Sequence, residues 1–204
     1  MVDETSVEGR LAARLRAERE ARGWTLADLA ARSGVSRAMA SKVARNEASP
    51  TAALLGRLSA AFGLTLSQLF ARVEGGGQVL RAQDQPTWRD PETGFVRRSL
   101  SPSGDAPLEL VHGELPPRTE IAYPAAAYSF IADQQLVVLE GLLVIVHGDD
   151  RHALGPGDCM RFGPPQRTSF RNEGSHPCRY VVAVLRTADR PAAPRAGSTA
   201  REGG

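Results

Sequence analysis

The sequence predicts a multidomain chain, an all-α unit of five short helices followed by an all-β unit of about eight short strands. Three observations carry this. From residue 9 to about residue 70, apolar side chains recur at helical spacing between capping signals. The triplet Gly75-Gly76-Gly77 then opens a stretch without periodic pattern. Beyond residue 95, short alternating runs separated by Gly and Pro turns replace the helical pattern.

The helices follow in order. Gly9–Arg22 is rich in Ala, Leu, Arg and Glu, with Leu11 and Leu15 one turn apart, and Gly23 ends it. Thr25-Leu26-Ala27-Asp28 has the form of a capping box, opening a second helix whose apolar face is Leu26, Leu29 and Ala30. Gly34 turns the corner, free to take a positive φ. Ser36 caps a third helix with Met39 and Val43 facing inward. Ser49-Pro50 starts a fourth through Leu55, Leu58 and Phe62, and Gly63 stops it. Thr65-Leu66-Ser67-Gln68 caps a short fifth helix ending near Phe70.

Strands are expected at 95–100, 108–115, 127–131, 136–139, 142–147, 160–162, 168–172 and 179–185. Pro116-Pro117, Glu140-Gly141, Gly148-Asp149 and Gly155-Pro156-Gly157-Asp158 mark the turns. So many short strands at this spacing indicate an antiparallel sandwich or barrel. The expected organisation is a disordered N-terminus (1–8), the helical domain (9–72), a linker (73–94), the β domain (95–186) and a disordered tail (187–204). The tail lacks large apolar residues.

Composition narrows the class. Net charge is +2, but residues 1–72 hold 11 basic and 7 acidic side chains and the remainder 14 and 16. A positive helical domain suits a phosphate-bearing partner, since bound cations release counterions from DNA. The chain holds no apolar run of the length a membrane span needs, and its polar, acidic start is no secretory signal. Cys159 and Cys178 lack metal-binding spacing and suit a reducing compartment. A soluble cytoplasmic protein without a membrane partner is the expectation.

The stretch TLADLAARSGVSRAMASKVARNEASPT resembles the helix-turn-helix of the lambda-repressor-like, or xenobiotic-response-element, family, and the likeness covers residues 9–70. In that family the third helix lies in the major groove while the second braces against phosphates. The resemblance places Ser36, Arg37, Ala38, Ser41 and Lys42 toward the DNA. Arg37 can donate two parallel bonds to guanine, and Ala38 can meet a thymine methyl. Thr25, Lys42 and Arg45 are expected on phosphates. Three positions depart from the pattern. Ala40 stands where a larger aliphatic residue is usual, Ala44 where Glu is common, and Asn46 where Gly is frequent.

Residues 95–186 resemble a cupin, a double-stranded β-helix of the jelly-roll type. Leu139-Glu140-Gly141, the run Leu154-Gly155-Pro156-Gly157-Asp158 and Asn172 carry the likeness. Many cupins hold a divalent metal on His and Glu. Here the matching positions are Tyr128, Phe130, Gln134 and Thr168, none of which is a strong metal ligand. His112, His147, His152 and His176 have no paired spacing and read as ordinary strand or surface residues. No cofactor is therefore expected, and Tyr128, Phe130, Gln134 and Thr168 are expected to line an effector pocket.

The resemblances together imply a DNA-binding transcription regulator and not an enzyme, with repression the default. Its expected partners are operator DNA, a small-molecule effector and a second copy of the chain. The alternatives are a cupin that serves only as a dimerisation platform, and a metal-dependent, epoxidase-like enzyme carrying a helix-turn-helix. The last needs the ligands that the sequence replaces.

Overall fold

A computed structural model describes residues 6–70, 79–102 and 106–187. The expected glycine joint at 75–77 and the tail from 188 onward lie outside the described residues. Five helices come first: α1 Val7–Ala21, α2 Leu26–Ser33, α3 Arg37–Ala44, α4 Ala52–Phe62 and α5 Leu66–Phe70. Ten strands follow: β1 Thr87–Arg89, β2 Val96–Ser99, β3 Leu108–Leu115, β4 Thr119–Tyr123, β5 Ile131–Glu140, β6 Leu143–His147, β7 Asp150–Leu154, β8 Cys159–Arg161, β9 Thr168–Asn172 and β10 Cys178–Arg186.

Side-chain oxygens set the helix starts. Thr25 and Asp28 bond reciprocally at the start of α2, Ser36 Oγ accepts from Met39 N, and Thr51 Oγ1 accepts from Leu54 N. The fourth helix therefore begins after Thr51, two residues beyond the expected Ser49-Pro50 start. Gly34, at φ 66°, closes α2 and lets the chain turn sharply into α3.

On α3 the inward stripe is Ala40, Val43 and Ala44, all buried, while Met39 is 38% exposed. Met39 was expected to face inward. The two small side chains leave room for α3 to seat against α1, where Arg16 Nη1 donates to the Ala44 carbonyl at 2.5 Å. Asn46 takes the left-handed conformation, φ 57°, at the helix end.

The strands form two antiparallel sheets, ordered β1-β2-β3-β10-β5-β8 and β4-β9-β6-β7. Inward positions alternate along β3 and β10, where Val111, Leu115, Tyr180 and Val182 are buried. Leu136, Val138, Leu143, Ile145 and Phe170 complete the layer between the sheets. Three strands were not read from sequence. β1 lies within the stretch assigned to the linker, and β4 and β7 have weak patterns, with β7 exposed at four of its five positions. The expected strand at 127–131 is replaced by a 3-10 turn, Ala125–Tyr128, because Pro124 and three alanines offer no alternating apolar face.

The helical and β domains share one continuous apolar cluster, in which Phe70 of α5 meets Trp88 of β1 at 5.8 Å between ring centroids. Gly56 of α4 lies against Tyr123 of β4 so closely that a Cβ would come within 2.6 Å of the ring. Polar bonds cross the same boundary. Ala52 N donates to Asp90 Oδ2 at 2.7 Å, and the Thr65 hydroxyl donates to the Glu109 carboxylate at 2.9 Å. The β domain is thus packed directly on α4 and α5.

Candidate DNA interface and effector cavity

Helix α3 presents Ser36, Arg37, Ala38, Met39 and Lys42 as an exposed face, with Ser41 half-buried. Ser36 Oγ is used as the helix cap. Arg37 and Lys42 have no ion-pair partner among the described residues. Arg45 differs, because its Nε and Nη2 meet Glu47 at 2.6 and 2.8 Å, and its Nη1 also donates to Ser41. That carboxylate raises the Arg45 pKa above its ordinary value. Thr25 is likewise engaged, its backbone N and hydroxyl both donating to Asp28 Oδ2 at 2.8 and 2.7 Å. These bonds hold the Asp28 carboxyl below the usual carboxylate range. A phosphate at Thr25 or Arg45 has to displace or share these carboxylate contacts, whereas Arg37 and Lys42 are ready.

A second feature is a cavity of about 110 Å³ between the β domain and the helices. Gly56, Ser59, Leu66 and Ser67 of α4 and α5 wall it on one side. Tyr128 and Gln134 line it on the other. Gln134 is buried, and the buried Tyr128 hydroxyl, beside the Thr168 side chain, makes no hydrogen bond within 3.5 Å among the described residues. Burial pushes the Tyr128 phenol well above its ordinary pKa.

The other two expected pocket residues stand elsewhere. Phe130 is absent from the cavity wall, and its carbonyl accepts from Thr187 N at 3.0 Å. Thr168 is fully buried behind the wall, its hydroxyl 2.9 Å from His147 Nδ1. His147, read from sequence as an ordinary residue, is 7% exposed, with Nε2 3.1 Å from the Pro164 carbonyl. His147 Nε2–H donates to the Pro164 carbonyl, and the Thr168 hydroxyl also reaches the Gln166 carbonyl at 3.1 Å. Its position at the end of a continuous apolar run, Leu143-Val144-Ile145-Val146, was the signal for this burial.

The residues do not fit the divalent metal that many cupins carry. Among the described residues no three His, Cys, Asp or Glu side chains come together. The nearby Asp133 is bound to Arg161 at 2.9 Å. No described helix is long and apolar enough to cross a membrane.

The two cysteines differ in reactivity. Cys159 is exposed, whereas Cys178 is buried and its pKa is pushed up to about 11, chiefly by desolvation. The thiolate is the reactive form, so at pH 8 about one Cys178 in a thousand is competent. Ellman's reagent is expected to titrate one thiol per folded chain quickly and the second only in denaturant. Two fast thiols in the folded protein would contradict the placement of Cys178.

The helical domain has the expected relatives. Residues 15–69 match the helix-turn-helix family HTH_3. The HTH-type transcriptional regulator SutR of Escherichia coli strain K12 is 26% identical over 171 residues, covering 83% of this chain and 91% of SutR. The crystal structure of an HTH_3 family transcriptional regulator from Vibrio cholerae superposes with a TM-score of 0.72 at 24% identity, covering 89% of this chain and 97% of that one. Hydroxypropylphosphonic acid epoxidase from S. wedmorenis reaches a TM-score of only 0.45 at 18% identity over 86% of this chain, too distant to bear on activity. Residues 15–69 thus form an HTH_3 helix-turn-helix with its third helix open to solvent, packed against a β domain of two antiparallel sheets.

Proposed function

We propose that the protein is a cytoplasmic, non-catalytic repressor that binds its operator through α3 and takes a small effector in the cavity beneath α4 and α5. The observation that carries this is the shared wall. The same cavity is lined by the β domain and by helices of the DNA-binding domain. An effector there touches α4 and α5, helices of the same domain that carries α3, with no flexible joint needed to relay it. Coupling then requires only that the effector bind the two arrangements of the helices with different affinity.

On the DNA, Arg37 reads base edges beside Ser36, Ala38 and Ser41, Lys42 holds phosphate, and Thr25 and Arg45 support it after releasing their carboxylates. In the cavity Tyr128 and Gln134 serve as polar handles. Two chains pair through the outer face of the larger sheet. Leu108 and Leu185 are register partners there, 51% and 39% exposed, with Leu110 at 38% beside them. Such a contiguous apolar patch suits an interface between copies.

The test is binding to an operator selected from random DNA. Arg37→Ala is expected to lose about tenfold or more of the discrimination at one base position, consistent with about 1–3 kcal/mol for a bidentate contact. Lys42→Ala is expected to weaken all sequences alike and to lower the salt slope by about one. Unchanged binding in both variants would remove α3 from the interface.

A further inference from the structure

Arg97 of β2 is 6% exposed and lines the cavity. Its Nη1 donates to Ser99 Oγ at 3.1 Å and its Nη2 to Ser67 Oγ of α5 at 2.5 Å. The guanidinium also lies over Phe70, 5.5 Å from the ring centroid. These partners are all neutral, and among the described residues no carboxylate lies within ion-pair distance. Glu109 is on the same wall but is already engaged, 3.1 Å from Arg186 Nε and accepting from Thr65. Glu109 is thus taken by Arg186 and Thr65, which leaves the buried Arg97 without a counter-ion of its own. A buried charge without a counter-ion is costly, and a small anion entering the cavity removes that cost.

The rest of the wall defines the remainder of the ligand. Phe95, Val111, Phe170, Val182 and Val184 are apolar. Tyr123, Tyr128 and Tyr180 also line the cavity, and the buried Tyr128 hydroxyl makes no hydrogen bond within 3.5 Å among the described residues. A guanidinium fork flanked by phenol donors matches the planar, two-oxygen geometry of a carboxylate. A phosphate would bring a second negative charge beside Glu109. Size sets a limit as well. A cavity of roughly 150 Å³ accommodates benzene, so about 110 Å³ here suits a ligand smaller than benzene, of about four or five non-hydrogen atoms.

We propose that the effector is a small monocarboxylate with an apolar body, its carboxylate on Arg97 and its body against the barrel wall. This rests on the effector-sensing role proposed for the cavity. Because Arg97 is held by Ser67 of α5, neutralising it also changes what holds α5 in place.

Calorimetric titration of the full-length protein with propionate, and with propionamide as its neutral isostere, tests this. Propionate is expected to bind at least tenfold more tightly than the amide. Arg97→Met is expected to abolish that preference. Should this variant fail to fold, the wild-type comparison of acid and amide still decides. Equal affinity for the two, or no binding by any straight or branched carboxylate from acetate to butyrate, would overturn the assignment. Operator binding by the same preparation separates the two claims. If carboxylates fail while operator binding persists, the ligand class falls and DNA regulation stands; if operator binding also fails, the regulatory reading falls with it.

Discussion

Asp90→Ala is expected to destabilise the protein by about 3 kcal/mol, measured by urea unfolding of the full chain. Asp90 is 2% exposed and uses both carboxylate oxygens. Oδ1 accepts from Glu92 N and Thr93 N at 2.8 and 3.2 Å, folding the loop between β1 and β2. Oδ2 accepts from Ala52 N, the first residue of α4, where a negative charge also meets the positive end of the helix dipole. Alanine strands the Ala52 donor away from water and takes the acceptor from the part-buried Glu92 and Thr93 donors. Hydrogen bonds to charged groups contribute about 1.5–3 kcal/mol each, and three sharing one carboxylate are not additive. Asp90→Asn keeps one acceptor oxygen and is expected to lose about half as much. Because Asp90 and Ala52 lie in different domains, the alanine variant is also expected to broaden unfolding toward two steps. A loss below about 1 kcal/mol with a single sharp transition would show that the domains are held by apolar contact alone.

Gly113→Val is expected to cost a similar amount, about 3 kcal/mol, at the upper end of the usual range for overpacking. Gly113 is paired with Tyr180 across β3 and β10, and the phenol ring lies over the glycine. A Cβ there would come within 2.4 Å of the ring carbon that bears the hydroxyl. Retreat of the ring disturbs its stacking on Phe170, at 5.9 Å with an interplanar angle of 14°, or drives it into the cavity it lines. The greater β propensity of valine is worth less than about 1 kcal/mol and does not offset the clash. Tyr180 also lines the effector cavity, so the variant is expected to lose ligand response along with stability. Wild-type stability in Gly113→Val would contradict the close approach of ring and backbone.

Local signals were legible in the sequence and non-local ones were not. Thr25 with Asp28, Ser36 and Gly34 each act within a few residues of themselves, and the structure places all four as their local chemistry requires. The helix order and the two-sheet architecture followed from period and turn chemistry. Met39 misled because it and Val43 satisfy helical spacing as well as Ala40 and Val43 do, and only contact with α1 decides which stripe is buried. Thr25 and Arg45 look free in the sequence, while Asp28 and Glu47 occupy them in the fold. The interdomain seam was the largest omission. Ala52 and Asp90 are 38 residues apart, and Thr65 and Glu109 are 44 apart. No periodicity encodes such a pairing. Arg97 drew no notice for the same reason, since an arginine in a short strand looks like an exposed one until α5 covers it.

Methylation interference on a selected operator tests the central claim most directly, that the exposed face of α3 reads the major groove. Guanine N7 lies in that groove, where Arg37 is placed. The account predicts that methylation at one guanine per half-site blocks the wild-type protein, with half-sites about 10 base pairs apart for a dimer. The Arg37→Ala variant should be indifferent to the same methyl group. Selection that enriches no sequence, or interference that is identical in the two proteins, would contradict it.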